Sequence, residues 1–175
     1  MKSLTYLLLF LISLNTGLAQ EKNLPKDFVY IKEQIPDIKL DIRYAGSNNF
    51  IGKPVNSYQK PVGILSKPAT EALEKVQNDL MSQGYCLKIF DAYRSQTAVN
   101  HFIEWARNPA DTLTKAKFYP EVAKKDLFQL GYIASKSGHS RGSTMDLTIM
   151  DAKTGKELDM GSGYDFFGDI SHHNT

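Results

Sequence analysis

The stretch SGHSRGSTMDLTIMD, residues 137–151, decides how the chain is read. It sets His139 and Asp146 seven positions apart, with Gly138 and Gly142 beside the histidine. From Ser143 onward the residues alternate: Met145, Leu147 and Ile149 point one way, and Thr144, Asp146 and Thr148 the other. The spacing predicts a strand that carries Asp146 on its polar face. A carboxylate in a strand of a small domain is costly to bury unless it is paired or bound to a cation. A straight strand would send residues seven apart to opposite faces, but a bend at Gly142 lets the two side chains converge. Imidazole nitrogen and carboxylate oxygen are ordinary zinc ligands, and three protein ligands plus a water form the catalytic pattern. The same residues also fit a plain structural pair, with His139 capping a turn and Asp146 bonding backbone amides. Two ligands alone do not define a metal site.

Outward from this stretch, helix and strand signals alternate without a regular βαβ pattern. Ile38, Leu40 and Ile42 share one face and predict a strand over 38–44. The run GSNNFIGKPVNSYQKPVGI, residues 46–64, is rich in Gly, Pro and Asn and reads as loop. Ser66 and Pro68 open a helix whose Leu73, Val76, Leu80 and Met81 recur at helical spacing, and Gly84 stops it. YCLKIFDAYR, residues 85–94, is a β-type run with polar residues at its end. Ser95 caps a second helix bearing Val99, Phe102, Ile103 and Ala106, which Asn108-Pro109 ends. KDLFQL, residues 125–130, is a short helical piece that stops at Gly131. This mixture predicts an α+β fold with a small, mostly antiparallel sheet and no internal domain boundary.

The 175 residues suffice for one domain with a real core. A net charge of +2 lacks the basic excess of a nucleic-acid binder, and 42% hydrophobic residues argue against a disordered chain. The N-terminus differs from the rest. Lys2 precedes an apolar run from Leu4 to Leu14, and Gly17-Leu18-Ala19 supplies the small residues read by a signal peptidase. The run is shorter than the roughly 20 apolar residues that span a bilayer. Residues 1–19 are therefore expected to be a signal peptide, with an exported chain starting near Gln20, periplasmic or extracellular and without a stable membrane anchor. Cys86 is the single cysteine, so no internal disulfide can form, and its apolar surroundings suggest a buried thiol.

Several segments, in order, resemble the D-alanyl-D-alanine dipeptidases, zinc enzymes related to D-Ala-D-Ala carboxypeptidases and to the hedgehog signalling domain. SGHSRGSTMDLT resembles their Ser-x-His-x-x-Gly-x-x-x-Asp signature. DIRYAGSNNFIGKPVNSY is similar to their N-terminal block, and DAYRSQTAVNHFIEWA to their Asp-x-Tyr-Arg segment and following helix. MGSGYDFFGDISHH is similar to their Met-Gly-x-x-Phe-Asp segment, with Tyr164 in the aromatic place. The resemblance implies one zinc ion per chain, with His139 and Asp146 as two of its three ligands. It implies that Arg94 steadies the oxyanion, where a permanently charged planar fork suits the task. Ser137 would help hold the substrate, and Tyr44 and Asp165 would line the pocket around its amino end. Taken without the resemblance, Arg94 reads as a surface ion pair with Asp91, Asp165 as a turn cap, and Tyr44 as a core tyrosine.

In that family the third zinc ligand and the general base arrive together in a Glu-x-x-His segment, which these 175 residues do not contain. The histidines are His101, His139, His172 and His173. The domain, residues 20–175, is expected to lack that segment because the chain is an incomplete gene product. A decayed gene would leave the same gap, and His172 or His173 standing in as ligand would fill it without the usual base. The expected activity is hydrolysis of D-alanyl-D-alanine in wall-peptide turnover, impaired in this chain. A D,D-carboxypeptidase or endopeptidase acting on peptidoglycan stems remains open; it would need the loop at residues 46–60 to lie aside from the site. A non-catalytic zinc- or peptidoglycan-binding domain also remains open. Oligomeric state is not legible.

Overall fold

The computed structural model describes residues 24–172. The expected signal segment and His173 lie outside them. Among the described residues, no helix is long and apolar enough to cross a membrane.

The architecture is α+β. Strands β1 (Phe28–Tyr30) and β3 (Ile64–Ser66) pair antiparallel. A second sheet has the order β2 (Lys39–Leu40), β4 (Tyr85–Asp91), β5 (Asp146–Asp151), parallel between β2 and β4 and antiparallel between β4 and β5. Helix α1 (Ile31–Gln34) is a single turn, and α2 (Lys67–Ser82) packs on the β4 sheet through Leu73. Helix α3 (Gln96–Arg107) buries Val99, Phe102, Trp105 and Ala106, and the Ser95 hydroxyl accepts from the Ala98 N–H at 3.3 Å as its cap. A short α4 (Lys115–Phe118) follows. Two apolar cores result. One holds Ile31, Ile38, Leu65, Leu87 and Ile89, and the other joins Tyr44, Phe50, Phe102, Trp105 and Phe167. Cys86 is a buried free thiol.

Two local readings change. The strand expected over 38–44 is only Lys39–Leu40, and the chain turns into a 3-10 helix at Arg43–Ala45. That turn swings Tyr44 into the aromatic core against Phe102, while the Tyr44 carbonyl accepts from the Val55 N–H at 2.8 Å. The piece expected over 125–130 is a 3-10 turn at Lys124–Asp126. In β5 the alternation holds, but burial does not follow polarity: Leu147 is 40% exposed and Thr148 only 5%. Ile149 and Met145 pack against the core under α2, and Leu147 lies outside that cluster.

Two features position the site. The β4–β5 register is regular from Tyr85↔Asp151 to Ile89↔Leu147 and then shifts by one, so Asp91 lies opposite Asp146. This bulge turns the strand ends so that two carboxylates share one place. The second feature is the one-turn 3-10 helix Gly138–Arg141, ended by Gly142 at φ 75°. The Gly142 carbonyl accepts from the Ser66 N–H at 2.8 Å, which ties the turn to β3. A Cβ at Gly142 would overlap the edge of the Phe28 ring. Gly142→Ala combines left-handed strain with overpacking, each worth about 1–3 kcal/mol. Chemical denaturation should show the variant destabilised by at least about 2 kcal/mol, the two penalties adding in part; an unchanged midpoint would contradict this account of the turn.

Candidate metal and peptidase site

His139 sits in the 3-10 turn, 8% exposed, and its backbone N–H donates to the Ser137 hydroxyl at 3.2 Å. Its ring position follows from one bond. Nδ1 lies 2.8 Å from the Ala92 carbonyl, which can only accept, so Nδ1 carries the proton. Nε2 then presents a lone pair, and Asp146 Oδ1 faces it at 3.4 Å. Two acceptors at that distance in a mostly buried place call for a proton or a cation between them. Burial works against a charge on His139, but the Asp146 carboxylate outweighs it and raises the imidazole above its ordinary range. Burial likewise raises Asp146, and His139 and Arg94 more than offset it, leaving its carboxyl low. An imidazole nitrogen and a carboxylate oxygen facing each other at this distance also fit a divalent metal.

Asp91, His139 and Asp146 bring ligand atoms within 4.8 Å of one another. Asp91 stands on the other side of the imidazole, with Oδ2 3.4 Å from Nδ1. Both of its oxygens are committed. Oδ2 accepts from Arg94 Nε at 2.9 Å and pairs with Nη2 at 2.8 Å, and Oδ1 accepts from the Tyr58 hydroxyl at 2.6 Å. Burial pushes the Asp91 carboxyl upward, and the Arg94 guanidinium, the Tyr58 hydroxyl and His139 work against that shift. Asp91 thus holds Arg94, and the converging ligand atoms are His139 Nε2 and Asp146 Oδ1.

Arg94 is the junction. Nη2 also donates to Asp146 Oδ2 at 3.2 Å, and the guanidinium lies over the Tyr44 and Phe102 rings at 5.1 and 5.2 Å. The Tyr44 hydroxyl donates to Asp165 Oδ2 at 2.8 Å. Burial pushes the Asp165 carboxyl up to about 7. A cavity of about 220 Å³ is lined by Tyr44, Phe50, Arg94, His139, Asp146 and Asp165, among others.

Residues 25–175 match the peptidase family described as D-Ala-D-Ala dipeptidase. The chain belongs to that family. It is 42% identical over 148 residues to the D-alanyl-D-alanine dipeptidase of Enterococcus faecalis, covering 85% of this chain and 73% of that protein. It is 40% identical over 149 residues to the namesake from Streptomyces coelicolor, covering 85% and 74%. The relative from Escherichia coli is 31% identical over 137 residues, covering 78% and 60%. The family is one of metallopeptidases, so the chain is a peptidase with a candidate metal site at His139 and Asp146.

The fold brings Arg94, His139, Asp146, Tyr44 and Asp165 around one cavity. Ser137 is not among the residues lining that cavity, and its hydroxyl accepts from the His139 N–H at 3.2 Å. His172 pairs through its ring with the Tyr132 hydroxyl at 2.8 Å and stands outside the candidate metal group. The ion pair of Arg94 with Asp91 exists, but it is buried, with the side chains 14% and 0% exposed. The parts that Asp91, Tyr58 and Tyr164 play are not legible in the sequence, because only the fold brings residues 33 and 18 positions away onto Asp91 and Asp146. Removing one partner of a buried ion pair costs about 3–5 kcal/mol. Asp91→Ala should lose stability of that order in denaturant titration, and a loss under about 1 kcal/mol, the range of exposed pairs, would contradict the assignment.

Proposed function

We propose that this site hydrolyses D-alanyl-D-alanine to D-alanine with zinc held by His139 and Asp146. The observation that carries the reading is the small cavity in which a carboxylate, Asp165, shares the walls with Arg94, His139 and Asp146. At about 220 Å³ it is smaller than ligand pockets generally, which run from roughly 300 Å³, and suits a very small substrate. A free dipeptide carries an ammonium group, which the ionised form of Asp165 would accept. Phe50, from the 46–60 loop, forms part of the wall. That loop does not lie aside, which favours a dipeptidase over an enzyme working on long stems. The names of the relatives agree with this substrate.

Zinc in this place supplies Lewis-acid polarisation of the scissile carbonyl and a more acidic water. The protein does the rest. Asp91 fixes the Arg94 fork through Nε and Nη2, leaving further N–H groups for negative charge developing on the carbonyl oxygen. Tyr44 holds Asp165 toward the amino end. A catalytic zinc shell takes three protein ligands. His139 and Asp146 supply two of them, and no Glu-x-x-His run occurs in residues 1–175. The leader-like residues 1–19 support an exported enzyme that recycles wall fragments.

The test uses the zinc-loaded protein with free D-Ala-D-Ala and its N-acetylated form. The free dipeptide should be cleaved and the blocked one spared; equal rates would instead support a carboxypeptidase. Arg94→Ala should lower kcat about a hundredfold or more with little change in KM. A variant with normal kcat and raised KM would make Arg94 a substrate clamp. Because the ionised form of Asp165 binds the ammonium, kcat/KM should rise as pH increases through about 7. Asp165→Asn should raise KM and abolish that limb; a pH profile identical to wild type would remove Asp165 from substrate binding.

A further inference from the structure

Asp146 offers two oxygens, and only Oδ1 faces His139 Nε2. Oδ2 has two donors: Arg94 Nη2 at 3.2 Å and the Tyr164 hydroxyl at 3.0 Å. The two donors are not equivalent. Arg94 Nη2 is shared between Asp146 Oδ2 and Asp91 Oδ2. Tyr164 has no such second task. Its ring is stacked on Phe90 at a centroid distance of 4.7 Å and an interplanar angle of 29°. Phe90 is buried, in the β4 bulge between Ile89 and Asp91. The backbone also serves the phenol. Asp165 adopts φ 59°, in the left-handed region that non-glycine residues rarely enter. Consecutive residues of an extended chain point to opposite sides. The left-handed turn lets Tyr164 reach Asp146 while Asp165 reaches Tyr44.

We propose that Tyr164 is a positioning residue of the metal centre: its hydroxyl, with Arg94 Nη2, fixes Asp146 Oδ2, so that the carboxylate presents Oδ1 alone to the ion. The inference rests on the reading of His139 and Asp146 as metal ligands. Without the phenol, Oδ2 is left to Arg94 or turns toward the ion, so both the shell and the arginine change.

The experiment is titration of this chain with cobalt(II) and with zinc, for the wild type, Tyr164→Phe and Tyr164→Leu. Metal affinity and the visible cobalt spectrum are read, with unfolding of the metal-free proteins alongside. Tyr164→Phe keeps the ring and removes only the hydroxyl. It should weaken metal binding by about tenfold or more, the usual cost of losing a partner that orients a ligand. Its cobalt bands should change in position and intensity, because the carboxylate no longer binds through one oxygen, and its metal-free unfolding curve should match wild type. Affinity and spectrum equal to wild type would overturn the inference. So would weaker binding with an unaltered cobalt spectrum and a lowered metal-free stability, which would make Tyr164 a packing residue; Tyr164→Leu alone showing a loss means the same. A wild-type chain that binds neither metal overturns the ligand assignment itself, and the inference falls with it.

Discussion

Asp91 is a carboxylate with no solvent exposure, 2.8 Å from the Arg94 guanidinium, and the site is built around that pair. Two charges taken out of water cost several kcal/mol each unless both are fully bonded. Here they are. Tyr58 serves the other Asp91 oxygen, and Arg94 continues to Asp146 and lies over two aromatic faces. The guanidinium therefore arrives in the cavity already oriented, with little left to reorganise when negative charge develops. On the proposed reading the same pair keeps Asp91 from joining His139 and Asp146 as a ligand, its oxygens being engaged by Arg94 and Tyr58.

The fold reaches this arrangement through two departures from regularity. The bulge in β4 sets Asp91 across from Asp146, and the left-handed Gly142 closes the turn that delivers His139. The turn is sewn to its neighbours from both sides. The Ser140 hydroxyl donates to the Arg94 carbonyl at 2.8 Å, and His139 Nδ1 donates to the Ala92 carbonyl at the same distance. Residues 91–94 thus hold a charge, a ring tautomer and a turn at once. The imidazole cannot swap the roles of its two nitrogens without breaking a buried bond.

Much of this is legible in the sequence, and the parts that are not share a cause. Helix α3 is readable because its cap and apolar face are local, and His139 and Asp146 stand out through a glycine-bounded motif. The short β2 is not readable, because Tyr44 leaves the strand for a core partner at position 102. Thr148 reads as an outward residue and is buried, because polarity is a poor guide on an edge strand. Asp91 looks like half of a surface pair because no local pattern reports that Tyr58 and the β5 strand enclose it. Tyr164 shows in the sequence only as an aromatic; that its hydroxyl meets Asp146 depends on the left-handed Asp165, which sequence patterns rarely disclose.

The chemistry proposed for this site turns on one ion held between His139 Nε2 and Asp146 Oδ1, on the face of the imidazole away from Asp91. A crystal of the chain soaked in zinc, with anomalous differences collected at the zinc edge, tests it directly. One strong peak is expected within bonding distance of both atoms, with Asp91 still on Arg94 and Tyr58. A peak on the Asp91 side of the ring, or none at His139, would contradict it.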